Sequence, residues 1–290
     1  YLGALSLSFG YRAEKWEVSQ VRFVDAARTA VKTNSGYPKK LADSDNSLIG
    51  LGATYDIKDT TSLFFGFHQG FTPTSGGADP EQANNIEVGV RHVKDSTFVE
   101  FLYFKTDYQN MFGSCTTSGG AVEDCEIGDS FNAGGASING IEFTLQSKVN
   151  SESGIDYPMS ITYTSTKATF DNTFSSTFWG EVTSGMDIPD LPDTQIAVRG
   201  GFLSNHGWLG DVTLYSYGST CSVASCNLGT EIDAYTVVDL SLSKLLKKNV
   251  DLYMKVENIT DKKNIVSRAP KNGARAQKPR TVILGFRLKI

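Results

Sequence analysis

Apolar and polar residues alternate one for one along much of the chain, in short stretches broken by Gly, Asn, Asp, Ser and Lys. From Asn85 to Arg91, Ile86, Val88 and Val90 share one face, and Glu87, Gly89 and Arg91 the other. From Gly140 to Gln146, Ile141, Phe143 and Leu145 oppose Glu142, Thr144 and Gln146. Between Val250 and Val256, Leu252 and Met254 oppose Asp251, Tyr253 and Lys255. At the end, Val282, Leu284, Phe286, Leu288 and Ile290 oppose Ile283, Gly285, Arg287 and Lys289. A period of two is the signature of a strand with two unlike faces.

Extended over the chain, the pattern predicts twelve strands, at 2–20, 47–58, 61–71, 85–94, 96–112, 136–149, 156–170, 194–204, 208–218, 234–246, 249–259 and 280–290. A soluble antiparallel sandwich shows the same alternation, its apolar face forming a core. The connections separate the two. Short turns fall at Lys58-Asp59-Thr60, Lys94-Asp95, Asn150 to Gly154, Asn205-His206-Gly207 and Lys247-Lys248-Asn249. Between them lie long loops near 21–46, 72–84, 113–135, 171–193, 219–233 and 260–279. Strict alternation of short and long links is what periplasmic turns and extracellular loops produce, whereas Greek-key crossings have no reason to produce it. The expected fold is all-β, a transmembrane antiparallel β-barrel of a bacterial outer membrane, apolar side chains toward lipid and polar ones toward the lumen.

Composition narrows the picture further. No run approaches the ~18 apolar residues that a membrane helix needs. Gly is abundant at 28, aromatic residues reach 11% and Pro is only 8, which suits many short strands. Tyr1-Leu2-Gly3-Ala4-Leu5 already reads as strand, with no charged leader before it. The whole span 1–290 is therefore expected to be the C-terminal part of one larger barrel domain, its first strands, plug and signal peptide lying upstream. A net charge of −5, with the basic residues in one local cluster, gives no reason to expect nucleic acid as a partner. The four cysteines form two close pairs, Cys115 with Cys125 and Cys221 with Cys226, each in a Gly/Ser/Thr-rich long loop. Two local disulfides on an oxidising exterior face are expected. Metal ligation is the alternative, but neither pair has zinc-site spacing and no His lies near.

At this level the sequence resembles the TonB-dependent outer-membrane receptors, and among them the ferric dicitrate receptor type. The resemblance is carried by Gly70-Phe71-Thr72-Pro73, by Pro80-Glu81 followed by Asn85 to Arg91, by Gly140-Ile141-Glu142, and by Val256-Glu257-Asn258-Ile259-Thr260-Asp261-Lys262. It continues in the closing segment, from Arg268-Ala269-Pro270 through Gly273-Ala274-Arg275 to Pro279-Arg280-Thr281 and Gly285. It implies a barrel of about 22 strands filled by an N-terminal plug, of which this chain is the last twelve. It also implies uptake of scarce iron chelates, driven by the TonB complex through a box near the N-terminus. The terminal Ile290 departs from the aromatic residue usual at that position.

The loops hold the candidate chemistry. In the last one Lys262, Lys263, Arg268, Lys271, Arg275, Lys278 and Arg280 face a single acid, Asp261. An external mouth so lined would concentrate anions, and Arg matches carboxylates with two parallel hydrogen bonds. Arg268, Lys271, Arg275 and Arg280 are thus candidate ligands for an anionic ferric chelate such as ferric citrate. The alternatives are contacts to lipopolysaccharide phosphates or the family's ordinary loop architecture. Other long loops are acidic, with Glu123, Asp124, Glu126 and Asp129 in one and Asp187, Asp190 and Asp193 in another, and read as solvated faces. Trp16, Phe71, Trp179 and Trp208 fit interfacial girdles, and Trp179 could also stack on a ligand.

Glu87, Glu142 and Glu257 could be read as general acids or bases, but alternation places them on the luminal face, so a structural or plug-contacting role is expected and the chain is not read as an enzyme. His68, His92 and His206 lack metal-ligand spacing, and no cofactor is expected. Gly50-Leu51-Gly52 lacks the following helix of a nucleotide loop. Asn258-Ile259-Thr260 matches a glycosylation acceptor by chance. The expected function is energy-coupled uptake of a ferric siderophore, with outer-membrane lipid, lipopolysaccharide, the chelate and the TonB complex as partners. A passive porin and a receptor for a non-iron ligand such as vitamin B12 remain alternatives.

Overall fold

A computed structural model describes residues 4–21, 23–31, 39–73, 79–114, 130–132, 134–176, 179–247, 249–268 and 273–288. Twelve strands form one sheet in chain order: β1 (Leu5–Gln20), β2 (Lys39–Lys58), β3 (Thr61–Thr72), β4 (Glu81–Lys94), β5 (Thr97–Gln109), β6 (Ala136–Asn150), β7 (Ile155–Phe170), β8 (Thr194–Ser204), β9 (Trp208–Tyr217), β10 (Tyr235–Lys247), β11 (Val250–Glu257) and β12 (Thr281–Leu288). Every neighbouring pair is antiparallel, and β1 and β12 are not paired with each other, so the sheet is a partial barrel.

Register shows why the sequence alternates. Directly opposed residues share a face, and one such row runs Tyr55, Leu63, Val90, Phe101, Phe143, Tyr163, Ile196, apolar across seven strands. A second runs Val212, Leu240, Val256, Val282. One residue over, the row Asp56, Ser62, Arg91, Glu100, Thr144, Thr162 is polar throughout. A slip of one residue would exchange the two faces, so the sheet presents one continuous apolar wall and one polar wall. Val88, Phe65 and Phe101 on the apolar wall are exposed, and no described helix is long and apolar enough to cross a membrane.

At two glycines of the sheet an added side chain would collide with the neighbouring strand. A Cβ at Gly140 would stand 2.2 Å from the Ser165 carbonyl oxygen and 2.7 Å from Cζ of Phe104, and one at Gly89 would meet Phe64 and the Phe101 carbonyl. The Phe rings lie over the gaps the glycines leave, filling surface that would otherwise be bare backbone.

The described residues of the five predicted short turns lie at one end of the sheet and those of the long loops at the other. Two strands depart from expectation. β2 begins at Lys39, inside the segment expected as a loop, because Lys39 to Ser47 pair along β1 from Gln20 to Ala13 although they lack apolar alternation. β4 begins at Glu81 for the same reason, its first residues pairing with Thr72 and Phe71. Small two-stranded hairpins also stand in the long loops: Phe112–Ser114 with Ser130–Asn132, Phe174–Ser176 with Gly180–Val182, Thr220–Cys221 with Glu231–Ile232, and Ile265–Ser267 with Arg275–Ala276.

Candidate functional site

Apart from Gly89 and Gly210 within strands, the buried residues among those described, Phe170, Val182, Val223, Ile232 and Asn258 included, lie in the long loops or at the strand ends entering them. A sheet with lipid on one side and a polar lumen on the other has no core of its own, so packing gathers in the loops. The loop after β7 and the loop after β9 fold into one cap. Phe170, 1% exposed, meets Trp179 at 5.3 Å and Phe174 at 5.5 Å between ring centroids. The Ala224 amide donates to the Trp179 carbonyl at 3.0 Å, and the Asp190 amide to the Cys221 carbonyl at 2.8 Å. Cys221 is bonded to Cys226, their Cα atoms 5.3 Å apart. Trp179 thus packs in an aromatic cluster within the first loop, while its carbonyl bonds to the second.

Between the cap and the top of β7 lies a cavity of ≈ 970 Å³. Asp187, Asp193, Glu231 and Asp233 line it, with Lys167 the one cation among the described lining residues. Its field disfavours an anion.

The cations stand on the neighbouring loop after β11. Its neck is closed by ion pairs of Lys278 with Glu257 and of Arg280 with Asp261 at 3.7 Å, and Lys255, on β11 like Glu257, pairs with the same carboxylate at 2.8 Å. Asp261 is therefore not the only acid there, because Glu257, read as a luminal strand residue, reaches up to two lysines. Arg268 donates through Nε to the Glu231 carbonyl at 2.8 Å, tying the loop to the cap. Lys262, Lys263 and Arg275 are exposed and form no ion pair among the described residues. Of the sequence-predicted group, the structure brings Arg268, Arg275 and Arg280 to one loop, with Lys278 and Arg280 already partnered. Lys271, Cys115, Cys125 and the acids from Glu123 to Asp129 lie outside the described residues.

Below the loops, the luminal wall carries a charged recess of ≈ 350 Å³ lined by Arg199, Asp211, Thr213, Asp239, Ser241 and Lys255. Arg199 Nε donates to Asp211 at 2.6 Å, and Ser241 bonds the other carboxylate oxygen. Glu87 and Glu142 line a smaller recess beside Asn85 and Thr106. His92 bonds Thr61 at 2.8 Å, far along the sheet from His206. Among the described residues, no three His, Cys, Asp or Glu side chains converge on a metal site. In the loop after β1, Asp25 accepts from the Thr29 hydroxyl and, at 3.0 Å, from its amide. These bonds, the hydroxyl's first, hold its carboxyl below the ordinary value of 3.8.

Comparison with known proteins gives the same architecture. The sequence model of the family described as TonB dependent receptor-like, beta-barrel, matches residues 1–259. No curated protein matches the sequence. Among solved structures, the ferric citrate transporter FecA in its unliganded form is 15% identical with a TM-score of 0.75, over 99% of this chain and 43% of that one. The siderophore receptor PiuA from Acinetobacter baumannii is 15% identical with a TM-score of 0.73, over 98% of this chain and 41% of that one. The copper transporter OprC is 14% identical with a TM-score of 0.73, over 99% and 46%. This chain spans less than half the length of each.

Proposed function

The chain belongs to the TonB-dependent receptor-like β-barrel family, and from that premise we propose that it forms part of the wall of an outer-membrane receptor importing a ferric siderophore through the TonB complex. The apolar wall faces lipid, the long loops face outward, and the polar wall faces the lumen. The cargo is an anionic chelate of the ferric citrate kind. The observation that carries this reading is the exposed cationic loop after β11, where Arg268 and Arg275 stand with Lys262 and Lys263 and lack carboxylate partners among the described residues. The acidic cavity beside it works in the same direction, since it leaves that loop as the favourable place for an anion. Arg280 contributes by closing the neck against Asp261, and Trp179 by holding the cap.

This reading makes the protein a binder and conduit with no reaction of its own. Its test is titration of the full-length protein with ferric citrate. Saturable binding that weakens by about tenfold or more when Arg268 and Arg275 are both made Ala is expected, since each charge-assisted contact is worth about 1.5–3 kcal/mol. No binding by the unaltered protein, together with binding of another chelate or of vitamin B12, overturns the ligand assignment.

A further inference from the structure

Asn258 is the most buried polar side chain among those described, 2% exposed, and every polar atom of it is hydrogen-bonded at the neck of the loop after β11. Its Nδ2 donates to the Lys262 carbonyl and to the Lys278 carbonyl, both at 3.0 Å, so one amide joins the outgoing and returning arms. Its Oδ1 accepts from the Thr260 hydroxyl at 3.3 Å. Its backbone N–H donates to Asp239 Oδ1 on β10 at 2.9 Å, and its carbonyl accepts from the Asp261 amide at 2.9 Å. Its φ of 50° is left-handed, a region that Asn tolerates better than most residues and that aims the side chain into the neck. Burial of an amide with all its bonds made is a rigid arrangement, because a broken one leaves a desolvated donor.

Farther out, the Gln277 amide donates to the Asn264 carbonyl at 2.8 Å, and the Asn264 and Gln277 side chains bond at 2.6 Å. Beyond that rung the loop bears Arg268 and Arg275. The neck is therefore a locked stalk, and the direction it takes from the barrel rim decides where those cations stand.

We propose that Asn258 is the positioning residue of this loop: by tying Lys262 to Lys278 it holds Arg268 and Arg275 over the mouth, and its amide is needed for capture of an anion though it never touches one. The part concerning capture rests on the function proposed above. An Asn-Ile-Thr triplet that matches a glycosylation acceptor thereby gains a structural use, with the amide turned inward.

The test uses the full-length protein in outer-membrane fragments, with Asn258→Asp, which keeps the shape and loses both donors, and Asn258→Gly, which keeps the backbone conformation and loses the amide. Three readouts are taken: heat-modifiable gel mobility, the rate of tryptic cleavage after Lys262, and ferric citrate titration. Cleavage after Lys262 attacks one of the carbonyls that Asn258 holds, and cleavage after Lys148 near the short turns serves as the internal reference. Both variants are expected to keep the mobility and the Lys148 rate of the unaltered protein. Loss of two hydrogen bonds should speed cleavage after Lys262 by about tenfold or more and weaken ferric citrate binding by a similar factor.

Unchanged cleavage after Lys262 in a folded variant overturns the proposal. So does faster cleavage with undiminished ferric citrate binding, because position would then be irrelevant to capture. Failure of both variants to fold also overturns it, making Asn258 a folding residue. If the unaltered protein binds no ferric citrate, the ligand assignment falls while the cleavage rates still decide whether Asn258 fixes the loop.

Discussion

Replacing Gly140 by Ala should destabilise the barrel at a single close approach between β6 and β7. The new Cβ would stand 2.2 Å from the Ser165 carbonyl oxygen and 2.7 Å from Cζ of Phe104. Ordinary contact requires a gap more than about 1 Å wider. The Phe104 ring can swing away, but the Ser165 carbonyl belongs to a strand paired on both sides, with Ile141 on β6 and Thr194 on β8. Opening that space stretches ladder hydrogen bonds, and such overpacking costs about 1–3 kcal/mol. Alanine's smaller unfolded-state entropy returns about 0.4–1 kcal/mol, which leaves a net loss of about 1–2 kcal/mol. Gly200→Ala is the control, since nothing lies within 4 Å of its Cβ position. The assay is urea-induced unfolding of the full-length protein in lipid vesicles, followed by gel mobility. The reasoning predicts a lowered midpoint for Gly140→Ala and an equal or raised one for Gly200→Ala. Equal midpoints for the two variants would refute the claim that the close approach requires glycine.

Other predictions follow from the same geometry. Val88→Lys on the apolar wall should cost about 2–4 kcal/mol near the bilayer midplane, while Glu87→Lys on the polar wall costs far less in the same unfolding assay. Arg199→Ala strands Asp211, whose side chain is 12% exposed, and should lower stability by about 1–3 kcal/mol; adding Asp211→Asn should restore most of it. Cys221→Ser together with Cys226→Ser removes a cross-link worth about 2 kcal/mol to the folded loop, so proteolysis between Gly218 and Ala234 should accelerate with the barrel's unfolding midpoint unchanged. For Asp25, whose folded-state carboxyl titrates below 3.8, the stabilisation of its turn is present above that pH and lost as the pH falls through the folded-state value. Protection of the Thr29 amide, its exchange rate set against the intrinsic rate at the same pH, should therefore fall only in acid, and Thr29→Val should remove most of that dependence.

The wall was legible in the sequence because its cause is local: lipid on one side and a polar lumen on the other impose a period of two on each strand separately. That is why Ile86, Val88 and Val90 could be assigned to one face before any neighbour was known. Where a strand is held by pairing alone, the signal disappears, and Lys39 to Asn46 looked like loop for that reason. The cap was hidden for a related reason. Val182, Val223 and Ile232 belong to short hairpin segments with no period to detect, and they become a core only when two loops far apart in sequence meet. The charge count in the last loop misled in the same way, since Glu257 and Lys278 are 21 residues apart and pair only after the neck closes. Asn258 was legible as part of a family motif and its triplet as a chance match, but neither says anything of the two carbonyls that its amide joins.

The most direct test of the account is uptake of radioactive ferric citrate by cells that carry the full-length protein as their sole receptor, measured with and without an uncoupler of the proton-motive force. Saturable uptake is expected, abolished by the uncoupler and reduced when Arg268 and Arg275 are replaced by Ala. Entry that rises linearly with concentration and ignores the uncoupler would contradict it and mark the barrel as a passive channel.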